Sequence, residues 1–134
     1  MKRLTRLVCL LLVMSMVLAV PAMATERASK YFGSHSCYLW NVSSSGFEVW
    51  FDVTATGGMD VLGASEIKIQ RSSDRVNWTT VQTYYDIYEY NTGTTGGHVT
   101  FTGRQSGYYY RAKVTFYAQK GNGVAEYTDY TSSV

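Results

Sequence analysis

Strict alternation of apolar and polar residues in two stretches constrains the fold of this chain most. The stretches cover residues 47–56 and 108–118. A period of two is typical of a β-strand with one buried face and one face in water. We therefore expect two long strands that enclose part of a core. Their apolar positions are Phe47, Val49, Phe51, Val53 and Ala55 in the first stretch, and Tyr110, Ala112, Val114, Phe116 and Ala118 in the second.

Shorter stretches with strand character fill the chain between clusters of turn residues. No window after residue 24 shows a helical period, and residues 86–97, rich in Thr, Gly and Tyr, are interpreted as a loop. Short strands at this spacing predict an all-β, antiparallel β-sandwich of about seven strands. The predicted strands are residues 35–41, 47–56, 66–71, 78–84, 98–102, 108–118 and 124–131.

Two of these segments resemble a known family. Residues 67–74, followed by Trp78 and Val81, resemble the central hairpin of fibronectin type III and related immunoglobulin-like domains. Residues 107–114 are similar to the sixth strand of those domains, which carries a tyrosine at its corner. The resemblance implies an immunoglobulin-like sandwich. The whole chain also resembles small secreted proteins of unknown function from Gram-positive, gut-type bacteria, which implies a bacterial source and no activity.

The first 24 residues have the layout of a secretory signal peptide. Lys2, Arg3 and Arg6 precede an apolar run at residues 7–20, and small residues close the segment at 22–24. The run is too short for a membrane span. We predict a cleaved signal peptide at 1–24, a flexible tail at 25–34 and a sandwich domain at 35–134. The protein is then secreted, with no membrane anchoring after cleavage.

Removal of the signal changes the charge and the cysteine count. The remaining 110 residues carry nine basic and ten acidic side chains, so their net charge is about −1. This balance argues against nucleic acid as a partner, because that partner requires clustered positive charge. Cys9 leaves with the signal, and Cys37 alone cannot form a disulfide within the chain.

The residues do not show the spacing of a catalytic or metal site. His35 and Cys37 share one face of a predicted strand, and a nearby base can activate a thiol. Without an orienting third group, the favoured interpretation is that Cys37 packs inward beside Leu39. Residues 93–97 have the composition of a phosphate-binding loop but lack its lysine. We expect no enzyme activity, no cofactor and no metal.

Aromatic residues are the clearest excess. All 20 Tyr, Trp and Phe residues follow position 24. If Leu39 is inside, Tyr38 and Trp40 face outward beside Trp50. Such rings suit contacts with a sugar or a protein, although cross-strand aromatic pairs also stabilise sheets without any ligand. The candidate ligand-binding residues are Trp50, Tyr84, Tyr85, Tyr88, Tyr90, Tyr109, Arg111 and Tyr117.

These observations favour one function and leave two alternatives. We predict a secreted, non-catalytic binding module that recognises an extracellular protein or glycan through the aromatic sheet faces and an 84–90 loop. The alternative for residues 84–90 is an edge strand whose charges block aggregation. The alternatives are a small secreted antagonist or bacteriocin-like protein and, ranked last, a hydrolase.

Overall fold

The computed structural model describes residues 30–134, so the predicted signal peptide at 1–24 and residues 25–29 of the predicted tail lie outside the described residues. Within 30–134 the fold is all-β, and five antiparallel strands form one curled sheet. The strands are β1 (Phe32–Trp40), β2 (Phe47–Ser72), β3 (Thr79–Phe101), β4 (Tyr109–Lys120) and β5 (Gly123–Tyr130).

The sheet curls because β2 has different neighbours along its length. Residues 47–55 of β2 lie between β1 and residues 94–101 of β3, and these segments form the first layer. Residues 59–72 of β2 lie between β4 and residues 79–92 of β3, with β5 beyond β4, and these segments form the second layer.

A wide irregularity in β2 separates the two layers. Thr54 pairs with Thr94 and Met59 pairs with Thr92, so residues 55–58 of β2 lie opposite Gly93 alone. Extra residues in one strand bend that strand and increase its twist. The prediction of seven separate strands is therefore wrong. The predicted strands at 47–56 and 66–71 are two parts of β2, because the chain bends through 56–58 without leaving the sheet.

The predicted loop at 86–97 is also wrong, because these residues belong to β3. The predicted strands at 78–84 and 98–102 flank this segment and join it in one strand of 23 residues. β3 pairs only with β2 and is exposed along most of its length. An exposed edge strand needs no buried apolar face, so its sequence does not show the alternation that identifies a half-buried strand.

The core lies between the two layers, and the two alternating stretches supply most of it. All ten apolar positions predicted in these stretches are buried. Rings from the two layers contact each other across the core, with centroids 6.2 Å apart for Phe51 and Phe116 and 6.1 Å apart for Phe47 and Tyr110. β1 begins at Phe32, so residues 32–34 of the predicted tail belong to a strand, and Phe32 packs into the core.

Tyr110 holds the connection between β3 and β4. Its side chain is almost completely buried, and its hydroxyl oxygen accepts a hydrogen bond of 2.9 Å from the backbone N–H of Gln105. The Tyr110 ring also packs on Phe101, with centroids 5.7 Å apart. The connection is therefore fastened to the first residues of β4 by a buried phenol.

Candidate functional site

The outer face of the first layer carries an aromatic row. The alternation of β2 directs Phe51 and its apolar neighbours inward and therefore directs Trp50 outward. Antiparallel register places Tyr38 of β1 directly opposite Trp50 on one side and His98 of β3 directly opposite on the other. Three rings from three strands thus form one row across the sheet.

Three of the aromatic side chains on this face line a pocket of about 160 Å³, formed by Tyr38, Trp40 and Trp50. Tyr38 is 42% exposed and Trp40 is 56% exposed. On the β3 side, the imidazole of His98 stacks on the Trp50 indole, with centroids 4.4 Å apart and planes 12° apart. The pocket is therefore open to solvent, and one of its walls is held in place by a stacked neighbour.

A carboxylate stands beside this pocket. Oε2 of Glu48 accepts a hydrogen bond of 2.8 Å from Nε1 of Trp50 and one of 3.3 Å from Nδ2 of Asn41. Both bonds use the same oxygen, so Oε1 is left to accept a further hydrogen bond. Asn41 has a positive φ of 48°, a left-handed conformation that suits asparagine in the turn after β1. The Glu48 side chain is thus oriented by groups on both sides.

The charge of the first-layer outer face is one-sided. Two of its side chains, Glu48 and Asp52, are carboxylates, and none is Lys or Arg. Flat rings and hydroxyl groups make up most of the rest. Such a face can stack on apolar groups of a ligand and accept hydrogen bonds from it. Its twelve positions are Ser34, Ser36, Tyr38, Trp40, Glu48, Trp50, Asp52, Thr54, Thr94, Gly96, His98 and Thr100.

The structure separates the residues that the sequence predicted to bind a ligand. Only Trp50 lies on the first-layer outer face. Tyr88 and Tyr117 lie on the outer face of the second layer, where their ring centroids are 5.1 Å apart. Burial, and then the nearby Asp86 carboxylate, raise the pKa of Tyr88. Tyr85 and Tyr90 are about two-thirds exposed on the neighbouring positions of β3, and they form a strand edge rather than a loop.

Tyr84 turns to the opposite side of β3 from Tyr85. Its ring packs against the core, and its hydroxyl donates a hydrogen bond of 2.7 Å to the carbonyl oxygen of Thr100. Burial raises the pKa of Tyr84. This tyrosine therefore links the two parts of β3 and is a poor surface ligand contact.

Arg111 is occupied by contacts within the protein. Its guanidinium carbon lies 4.2 Å from the ring centroid of Trp78 and 4.3 Å from that of Tyr130. Its Nε donates a hydrogen bond of 2.9 Å to Oε1 of Gln70. Arg111 thus joins β4 to β2, to β5 and to the residue that precedes β3. Tyr109, at the beginning of β4, is covered in a similar way by Arg75, whose guanidinium lies 4.0 Å from the ring centroid.

Sequence reasoning placed Tyr38 and Trp40 on the outer face correctly, but it missed His98 and Glu48 as parts of the same site. Alternation within β2 places Glu48 and Trp50 on one face and is visible in the sequence. The register that brings His98 beside Trp50 is not visible, because 48 positions separate the two residues.

His35 and Cys37 meet a third group that the sequence did not indicate. Nδ1 of His35 is 3.8 Å from Oδ2 of Asp129 on β5, which is too long for a hydrogen bond. Burial, and then Asp129, raise the pKa of the Cys37 thiol to about 12. The thiol therefore remains protonated at neutral pH, whereas the thiolate is the nucleophile. Cys37 and Leu39 both pack against the core, in agreement with the packing interpretation.

Residues 30–134 contain no group of three or more His, Cys, Asp or Glu side chains arranged to hold a metal ion. Across the same described segment, no helix has the length and apolar character required to cross a membrane.

Comparisons of the chain with models of protein families, with curated proteins and with solved structures each gave no match.

Proposed function

We propose that this chain is a secreted, non-catalytic binding module that recognises an extracellular glycan or protein through the first-layer outer face. The observation that carries the proposal is the solvent-open pocket formed by Tyr38, Trp40 and Trp50. Large aromatic rings left in water are available to bury area against a partner, and their polar atoms supply orientation. The proposal that the protein is secreted rests on the signal-peptide pattern of residues 1–24.

The fold type we propose is an immunoglobulin-like sandwich related to fibronectin type III domains. If β2 and β3 are each divided at the bend, three segments lie in the first layer and four in the second. The hydrogen bond from Gln105 N–H to the Tyr110 hydroxyl has the form of the tyrosine corner, in which a tyrosine near the start of the sixth strand bonds to backbone a few residues upstream.

The surroundings of His35 and Cys37, the pair most similar to a catalytic site, support the non-catalytic part of the proposal. Cys37 has a thiol pKa of about 12, set first by burial, so it lacks the lowered pKa of a catalytic cysteine. His35 lies between the rings of Phe116 and Tyr127, with centroid distances of 5.0 and 4.3 Å. These surroundings favour packing between the layers over chemistry on a substrate.

Binding of the purified protein to a glycan array and to extracted bacterial surface proteins tests this function. The matched variants, prepared from the full chain, are Trp40→Ala on the first-layer outer face and Tyr90→Ala on the edge of the second layer. Both side chains are more than half exposed, so both variants are expected to fold normally.

We expect Trp40→Ala to reduce binding at least about tenfold, as for a central aromatic contact, and Tyr90→Ala to leave it unchanged. Retention of binding by Trp40→Ala with loss in Tyr90→Ala would move the site to the second layer. Growth inhibition of related strains without any surface binding would instead support the antagonist function.

A further inference from the structure

We infer that the pocket of Tyr38, Trp40 and Trp50 binds a trimethylammonium head group of the choline type. The inference rests on the proposed binding function for its location and adds the chemical group that the pocket recognises.

The three rings of the pocket are suited to an organic cation. An organic cation is attracted to the face of Trp or Tyr when it lies within about 6 Å of the ring centroid, and quaternary ammonium ions are held by several such rings together. The pocket is lined by two indoles and one phenol. His98 stacks on the Trp50 indole, which keeps this wall in one orientation without a ligand. The Trp50 wall of the site is therefore preformed.

Four other rings at the surface of the protein are each covered by an arginine of the chain, whereas Tyr85, Tyr90 and Tyr127 are exposed with no arginine of residues 30–134 over them. Arg71 lies over Tyr108 at 4.6 Å, Arg75 lies over Tyr109 at 4.0 Å, and Arg111 lies over Trp78 and Tyr130. Each of those rings is matched by an arginine of the chain itself. In the part of the chain that the structure describes, no such contact involves a ring of the pocket. An external cation would complete the pocket in the same way.

The charge around the pocket also favours a cationic ligand. Glu48 stands beside the pocket, Asp52 is the outward residue of β2 that follows Trp50, and the first-layer outer face has no Lys or Arg. An anionic ligand would meet two carboxylates and no lysine or arginine. A cationic ligand gains from the carboxylates and from the rings together.

Size and hydrogen bonding distinguish a trimethylammonium group from other cations. A volume of about 160 Å³ is below the roughly 300 Å³ of the smallest drug-sized pockets, so it suits one compact group. A primary ammonium has three N–H donors to satisfy, whereas ring faces supply none of the acceptors it needs. A trimethylammonium group has no donors. The hydroxyl of choline, two carbons away, can donate to the remaining oxygen of Glu48, a contact that a methylated lysine side chain cannot make.

Calorimetric titration with choline chloride tests the inference, and 3,3-dimethyl-1-butanol serves as the matched neutral control because it has the same shape without the charge. We expect choline to bind saturably and at least about tenfold more tightly than the neutral compound, which corresponds to the stronger cation–π contacts. Equal affinities would overturn the cation assignment. A trimethyllysine peptide that binds more tightly than choline would overturn the choline assignment.

Three variants locate the binding. We expect Trp40→Ala to weaken choline binding about tenfold, Glu48→Gln to weaken it by about threefold to tenfold, and Tyr90→Ala to leave it unchanged. Thermal unfolding of each variant confirms that it is folded. If Trp40→Ala no longer binds the glycan or bacterial surface protein, but choline does not bind to the original protein, the proposed function stands and the cation inference fails. If choline binds and Trp40→Ala retains surface binding, the proposed function fails instead.

Discussion

The indole of Trp50 and the imidazole of His98 lie nearly parallel, with ring centroids 4.4 Å apart. They occupy directly opposite positions on β2 and β3, on the outer face of the first layer. An aromatic pair across two strands stabilises the sheet and also restricts the rotation of each ring. The stack therefore contributes to stability and to the shape of the neighbouring pocket.

Substitution of His98 tests both contributions. We expect His98→Ala to lower the free energy of unfolding by about 0.5–1 kcal/mol, because the cross-strand pair is lost. We also expect weaker binding of the glycan or protein that the first-layer outer face recognises, because Trp50 loses the imidazole stacked on it. Urea unfolding measures the change in stability. Binding to the glycan array and to extracted bacterial surface proteins measures the change in recognition. Thr100→Ala, at the next outward position of β3, is the control, and an equal loss in both variants would rule out a specific role for the stack.

Substitution of Arg111 tests whether this side chain stabilises the fold or contacts a ligand. We expect Arg111→Lys to lower the free energy of unfolding by about 1 kcal/mol, because an ammonium cannot reproduce the planar stacking on Trp78 and Tyr130. Urea unfolding of this variant is compared with that of Lys113→Arg, at the next outward position of β4. Unchanged stability with lost ligand binding would instead support the role in recognition that the sequence predicted.

We expect the buried hydroxyl of Tyr110 to contribute measurably to the free energy of unfolding. Tyr110→Phe leaves the Gln105 N–H without its acceptor, which costs about 1–2 kcal/mol of unfolding free energy. Tyr108→Phe is the control, because Tyr108 is exposed and keeps its ring beneath Arg71. The midpoint of urea unfolding compares the stability of the two variants. Equal midpoints would show that solvent replaces the lost bond.

Asp74 gives the turn between β2 and β3 a dependence on pH. The backbone N–H groups of Asn77 and Val76, and then the Ser72 hydroxyl, donate to its carboxylate and hold the pKa of Asp74 well below its ordinary value. A group whose pKa is depressed by folding stabilises the folded state above its unfolded pKa of about 3.9. That contribution is lost as the pH falls through the folded pKa.

We therefore expect Asp74→Asn to be less stable than the original protein at pH 7, with the difference shrinking as the pH is lowered below about 4. Thermal unfolding at pH values between 2 and 7 measures the difference. Glu126→Gln, an exposed carboxylate on β5, is the control. A difference that stays constant over this range would contradict the linkage to the Asp74 carboxylate.

The strands that could be predicted are those with one buried face. The alternating part of β2 and all of β4 have this property, and their inward residues are buried as expected. β3 could not be predicted as a single strand, because its outer edge has no partner and its middle segment, residues 86–97, has no apolar face to reveal it. The number of strands was wrong for a related reason. Gly57 and Gly58 interrupt the pattern of β2 but bend the strand instead of ending it.

The candidate site shows the same division. The sequence places Trp50 on the polar face of β2, and it places Tyr38 and Trp40 outward once Leu39 is inward. The sequence does not reveal that Arg111 is covered by Trp78 and Tyr130, because three separate elements bring these residues together.

The amino-acid sequence by itself determined an all-β chain, the two alternating stretches that build the core, and which side of each stretch faces water. These properties are local, because a period of two assigns every side chain of a strand to one face or the other. The tertiary structure decided which outward residues become neighbours. Pairing register and the bend between residues 55 and 58 brought Tyr38, Trp50 and His98 into one row and moved the remaining candidate tyrosines to other parts of the surface. Register depends on contacts between residues far apart in the chain, and no local pattern encodes it.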